Sequence, residues 1–196
     1  MKNSSYYRKL GLQDLGRKIF SVVLFKFRWN LIRKLRAFYH FKTFKLTLGK
    51  NIQVHGMSFN ISIGPETIFY DNCIFEFGHG SEIGIGSNVL FSYGVVFTCI
   101  EKIIIGNDVQ IGEYTSIRDS THQYTEMGKP MKYAKDLSGP IIIENDVWIG
   151  RGCLILSGTT IEEGVVVAAN SVVKGRLKKN GIYGGMPAKF IKYRTD

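Results

Sequence analysis

Cysteine is scarce and unsuited to a framework. Cys73, Cys99 and Cys153 are odd in number and widely spaced, which excludes a disulfide-stapled scaffold and a CxxC metal site. Proline occurs only 4 times in 196 residues, and 44% hydrophobic against 21% charged is an ordinary globular balance, so large disordered regions are excluded. No apolar run approaches the roughly 20 residues that span a bilayer. The run from Ile19 to Phe25 reaches seven residues, and the charged segment before it is too long for an ordinary signal peptide. Acidic residues are almost missing from positions 1–50, where Asp14 stands alone beside 13 Lys and Arg for a local charge of +12. Positions 51–196 carry 13 basic and 15 acidic groups, a balance of −2. The whole-chain charge of +10 therefore belongs to an arm. That arm has no zinc, helix-turn-helix or RNP motif to mark a nucleic-acid module, so no nucleic acid is expected as a partner.

Residues 1–48 read as a basic, amphipathic helical arm, and residues 49–196 as the main domain. Phe20, Val23, Leu24, Phe27, Leu31, Leu35 and Phe38 recur at helical spacing, while Lys26, Arg33, Lys34 and Arg36 fill the other side. Two readings compete for the arm, ahead of a third, attraction to an acidic substrate. Apolar and aromatic residues (Trp29 among them) beside Lys and Arg suit a helix lying on an anionic membrane surface. The same stripe suits packing on the main domain or on a neighbouring subunit.

What the chain has in abundance is a period of six. From Ile143 the residues at that interval are Ile143, Ile149, Ile155, Ile161, Val167 and Val173, every one β-branched. Four positions after each stand Val147, Cys153, Thr159, Val165, Ser171 and Leu177, mostly small or apolar. The same phase runs through Ile63, Phe69 and Phe75, then Ile85, Phe91 and Phe97, then Ile105, Ile111 and Ile117, with slips of four and two residues between the sets. Such repetition marks a solenoid. Each hexad is a short strand with one large inward residue, followed by a turn of Gly, Asn, Asp or Ser. Three hexads close one triangular coil, and stacked coils bury a continuous apolar column. Five coils at roughly 4.8 Å each predict a prism about 24 Å tall. Cys153 falls on an inward position and reads as a buried, inert thiol.

The runs IGNDVQIGEYTSI and VWIGRGCLILSGTTIEEGVVVAANSVVKG, followed by GGMPAKFIKYR, resemble the hexapeptide-repeat acyltransferases. The resemblance covers about residues 50–194 and is strongest to galactoside, maltose and surface-polysaccharide O-acetyltransferases. It implies a mainly β fold, a left-handed parallel β-helix of about five coils with an N-terminal helical arm and a loop insertion at about 123–142. Handedness comes from the resemblance alone, because the usual rule favours right-handed crossovers. The implied activity is acetyl transfer from acetyl-CoA to a sugar hydroxyl in surface polysaccharide biosynthesis, in a cytoplasmic homotrimer without metal. Peripheral contact with the inner membrane face would come through residues 1–48. N-acetylation of an amino sugar and a non-catalytic scaffold are the alternatives. Serine acetylation is disfavoured because the long N-terminal helical domain of those enzymes is missing. A zinc carbonic anhydrase on the same fold needs three converging histidines, whereas His79 and His122 are 43 residues apart.

His122 stands where the repeat stops, and a long insertion in a rigid solenoid is where sites are built. The resemblance places the catalytic base there. An imidazole titrating near pH ~6.5 can take the proton of a sugar hydroxyl as it attacks a thioester. Asp119, Glu126 and a backbone carbonyl are all candidates to orient it. By the same resemblance Ser92 and Trp148 would touch the acceptor, and Arg151, Ala169, Lys174, Gly175, Lys189 and Lys192 the acyl-CoA. Ser92 stands where related enzymes have Asn, so the acceptor contacts should differ. Lys178 and Lys179 would complete a basic C-terminal cluster for the CoA phosphates.

Overall fold

The computed structural model describes residues 31, 32, 35, 38, 41, 43, 45–56, 59–125, 127, 128 and 130–195. Three parallel sheets of short strands form the faces of a triangular prism. The chain visits the first, second and third faces in turn six times, beginning Thr47–Leu48, Gln53–His55, Asn60–Ile63 and ending Val166–Val167, Val172–Val173, Arg176–Leu177. It then returns to the first face as Gly181–Gly184, and Lys189–Tyr193 folds back antiparallel on that strand.

The hexad leaders, joined at the end of the third column by Leu177, stack in register. Phe69, Phe91, Ile111, Ile149 and Val167 face one another on the first sheet, Phe75, Phe97, Ile117, Ile155 and Val173 on the second, and Ile63, Ile85, Ile105, Ile143, Ile161 and Leu177 on the third. Six coils form where about five were expected. The additional coil is the first, whose strands expose Gln53, His55 and Asn60 and blur the period.

The slips in the repeat have a physical meaning. Ile68 pairs with Leu90 after 22 residues, Leu90 with Gln110 after 20, Trp148 with Val166 after 18, and Val166 with Ile182 after 16. The prism tapers, and side-chain volume tapers with it. The wide end is filled by Phe69, Phe75, Phe91 and Phe97, all fully buried, with Phe69 and Phe75 centroids 4.7 Å apart. The narrow coils take Ile, Val and Leu177 at these positions, and Tyr183 follows Val167 on the first face. Each such burial contributes roughly 1.5–3 kcal/mol. Phe41, helical and 2% exposed, closes the wide end with its ring 5.3 Å from Phe69 and 5.7 Å from Phe75. Leu31, Ile32, Leu35 and Phe38, also helical, are exposed. The remaining residues assigned to the arm's apolar stripe lie outside those described.

Two of the three edges turn the same way in every coil, through one residue in the left-handed region. Between first and second faces these are Asn51, Asn72, Gly94, Tyr114, Gly152 and Asn170. Asn and Gly suit that conformation; tyrosine does not. The edge between second and third faces carries all the length variation, in segments 78–81, 100–101, 119–140, 156–159 and 174–175. The insertion lies on this edge and is wider than the expected 123–142, because Ser120–His122 already leaves the coil to pair with Asp136–Ser138.

Candidate active site

The insertion is an antiparallel hairpin whose neck is fixed by one carboxylate. Asp119 is fully buried and accepts hydrogen bonds from the backbone N–H groups of Ile100 (2.8 Å), Glu101 (2.8 Å) and Lys102 (2.9 Å). It thereby ties the corner of the preceding coil to the base of the hairpin. On the other strand, Gly139 N–H donates to the Asp119 carbonyl at 2.9 Å, and Gly158 N–H to the Gly139 carbonyl at 3.1 Å. The neck is bonded to the coils below and above.

Along the hairpin, Gln123 N–H donates to the Lys135 carbonyl. His122 and Asp136 therefore face each other at a non-hydrogen-bonded pair, where cross-strand side chains are closest. The imidazole Nδ1 lies 2.6 Å from Asp136 Oδ1. A carboxylate at that distance is an acceptor, so Nδ1 carries the hydrogen and Nε2 is left as the proton acceptor. His122 is exposed.

Asp136 was missed in the sequence. Its partner lies 14 positions earlier, and only the antiparallel register joins them. Of the three candidates to orient it, Asp119 is committed to the three backbone donors, and Glu126 lies outside the described residues.

The other candidates divide between places on the prism. Ser92, Arg151 and Ala169 lie on the edge between first and second faces, in the third, fifth and sixth coils. His122, Lys174 and Gly175 lie on the edge between second and third faces. One chain does not bring these two sets together. They border the same outer face, where Ile74, Val96, Leu154 and Val172 are half-buried in one column with Ser116 between Val96 and Leu154, and Glu76 and Arg118 pair beside it. Trp148 projects from the first face, exposed between Gln110 and Val166. Lys189 and Lys192 sit on the last strand.

The basic cluster is divided as well. Lys178 lies 3.5 Å from Glu162, and Lys179 lies 3.1 Å from Glu163. Glu162 also accepts from Lys179 N–H and Arg176, which push its carboxyl down to about 2. Cys153 is 1% exposed with its thiol donating to the Ala168 carbonyl at 3.2 Å, and burial pushes its pKa up. It is a structural thiol. Among the described residues no three His, Cys, Asp or Glu side chains group around a common point.

A tapered parallel prism, interrupted once at an edge by a hairpin that holds an imidazole against a carboxylate, defines a β-solenoid transferase. The chain belongs to the hexapeptide-repeat transferases, an acyltransferase family with left-handed β-helices. Residues 140–175 match the family described as bacterial transferase hexapeptide (six repeats). WbbJ of Escherichia coli K12, named as a lipopolysaccharide biosynthesis O-acetyl transferase, is 31% identical over 64% of this chain and 81% of its own length. A Mycobacterium tuberculosis protein named as an acetyltransferase is 30% identical over 85% of this chain, which spans 56% of that relative. Among solved structures, a Bacillus cereus N-acyltransferase in complex with dTDP-4-amino-4,6-dideoxyglucose and coenzyme A superposes with a TM-score of 0.66 at 27% identity. That match covers 76% of this chain and 81% of the other.

Proposed function

We propose that this protein transfers the acetyl group of acetyl-CoA to a sugar hydroxyl in surface polysaccharide biosynthesis. The observation that carries the reading is the His122–Asp136 pair at 2.6 Å on the hairpin of the interrupted coil. His122 Nε2 takes the hydroxyl proton as the sugar oxygen attacks the thioester carbonyl. Backbone N–H groups of the solenoid stabilise the oxyanion, and the intermediate collapses to the ester with CoA thiolate leaving. The imidazolium returns its proton to that sulfur. Asp136 holds the ring and stabilises the cation.

Ser92, Arg151 and Ala169 on one edge and His122, Lys174 and Gly175 on the other border one outer face. A second copy of the chain packed on that face would close a groove between them, so the working form is a homotrimer with sites between subunits. Gly158 and Gly175 leave open space where a Cβ would project, and the exposed Ala169 is small. An extended thioester arm can therefore lie close to backbone along this groove.

The test is thiol release from acetyl-CoA by purified protein with a panel of methyl glycosides or crude polysaccharide, with the product examined by mass spectrometry. Turnover producing an alkali-labile acetyl ester is expected. Absence of thiol release with every acceptor would instead favour a scaffold. The likeness to an N-acyltransferase bound to a nucleotide-linked amino sugar supports a second reading, amino-sugar N-acetylation, which the same assay separates because its amide product survives mild alkali.

The localisation we propose is the cytoplasmic membrane face. No helix among the described residues is long and apolar enough to cross a bilayer. The exposed Leu31, Ile32, Leu35 and Phe38 adjoin the most basic part of the chain, which suits surface binding to anionic lipid at about 1 kcal/mol per Lys or Arg near the surface. Vesicles containing phosphatidylserine should float the full chain at low salt. Replacing the Lys and Arg of residues 1–36 by Gln should abolish flotation. Equal flotation of both proteins would exclude an electrostatic anchor.

A further inference from the structure

The edge between the first and second faces repeats three corner positions in every coil. The first is Gly49, Tyr70, Ser92, Gly112, Gly150 or Ala168, so small except at Tyr70. The third is the left-handed position, taken by Asn or Gly except at Tyr114, whose φ is 59°. In the second position Tyr93 stands in the same column as Glu113 and Arg151. Three consecutive coils thus each place a tyrosine on this edge, and two of them do so where the corner favours a small residue or Asn.

Two of the rings stack on each other, and the third lies over the same edge. Tyr70 and Tyr93 stack with centroids 4.9 Å apart and planes 22° from parallel. The Tyr114 N–H donates to the Tyr93 carbonyl at 2.9 Å, which fixes the next coil directly above. The Tyr114 ring lies across Gly94, where an added Cβ would come within 2.8 Å of its Cδ1 and Cε1. Glycine at 94 is therefore what allows the ring to lie flat. Tyr93 is 47% exposed and Tyr114 is 65% exposed. Just above, Glu113 and Arg151 pair at 3.6 Å.

We propose that Tyr93 and Tyr114 form a stacking platform for a pyranose ring of the acceptor saccharide, resting on the reading of this protein as a sugar acyltransferase. A pyranose has an apolar face of C–H groups ringed by hydroxyls. Flat phenol rings accept the first, and the Glu113–Arg151 pair, the Ser92 hydroxyl and the phenol hydroxyls bond the second. Tyrosine held in the left-handed region is a backbone conformation the fold does not need, since Asn or Gly serves the same corner in the other five coils. The side chain is retained for what it contacts. The platform shares its edge with Ser92 and Arg151, so it adjoins the groove assigned to the reaction.

The experiment is steady-state thiol release with acetyl-CoA and whichever methyl glycoside of a panel the wild type turns over fastest. Tyr114→Asn gives the corner its usual residue, so its melting temperature should equal or exceed the wild type's. Its KM for the glycoside should nevertheless rise at least tenfold, with the KM for acetyl-CoA unchanged. Tyr93→Ala should act in the same direction, and Tyr93→Phe, which keeps the ring, should stay within threefold of wild type. An unchanged glycoside KM in both ring-deleting variants overturns the platform. A raised acetyl-CoA KM would assign the rings to the nucleotide, and loss of the oligomer by light scattering would assign them to a subunit contact; either overturns the proposal. If the wild type acetylates no saccharide, the sugar acyltransferase reading itself fails and the platform falls with it.

Discussion

Replacing His122 by Ala should lower kcat by about 10²–10⁴-fold, the range that a positioned general base contributes. The KM for acetyl-CoA should not move, because the positions assigned to the thioester lie in other coils. Asp136→Asn tests the orientation separately. An amide can turn its NH2 toward Nδ1, which would then have to accept, leaving the hydrogen on Nε2 and the base in the wrong tautomer. A loss of about 10²-fold in kcat is expected from that misplacement, with folding and acetyl-CoA KM intact. Equal activity of wild type and His122→Ala, measured by thiol release, would remove His122 from the chemistry.

The columns of the prism were legible because they are local in sequence. Apart from the coil that carries the hairpin, a coil closes within 16–22 residues, so inward positions recur at short range, and Ile143 to Val173 announce their stacking by spacing alone. The slips were legible as numbers but not as shape. That Phe69, Phe75, Phe91 and Phe97 occupy coils of 22 and 20 residues, against 18 and 16 at the other end, is a volume argument that needs the perimeter. The first coil escaped notice because a terminal coil has one neighbour and exposes more polar positions. The site was only half legible. His122 stands at a visible break in the period, whereas Asp136 has no pattern to betray it, being placed by a hairpin register that the hexads do not govern. Asp119 was visible as a carboxylate near the histidine, one of three candidates beside Glu126 and a backbone carbonyl, and its carboxylate serves three backbone donors instead. A carboxylate three residues from the imidazole was a reasonable candidate for it, yet the turn of the chain at the neck sends the side chain inward. The division of the basic cluster follows from the same cause: Lys174, Lys178 and Lys189 are close in sequence, but the triangular path distributes them over different parts of the prism.

Asp119→Ala should be the most damaging single substitution outside the core. Three backbone N–H groups at 2.8, 2.8 and 2.9 Å would lose their acceptor at once. An orphaned buried donor costs about 1–3 kcal/mol, and water entering the space left by the carboxylate would recover part of that. A net loss of about 3–5 kcal/mol is expected, measured as a shift of the urea midpoint at constant slope. Asn does not rescue the site. The Ile100 donor meets Oδ1, while those of Glu101 and Lys102 meet Oδ2, so an amide in either orientation sets its own NH2 against at least one of them. Asp119→Asn should therefore fall between Ala and wild type. The neighbouring thiol supplies a second reading. Burial and, after it, the Asp119 charge push the Cys99 pKa up, with the sulfur 3.5 Å from Oδ2. Removing the charge should make Cys99 easier to ionise and faster to react with a small thiol reagent in the folded protein. Because the neck also fixes the hairpin, the Ala variant should lose turnover together with stability, and the loss should fall on kcat as His122 and Asp136 drift from register. A variant that unfolds at the wild-type urea concentration would show that the three donors find water without cost, and the anchoring role of Asp119 would be wrong.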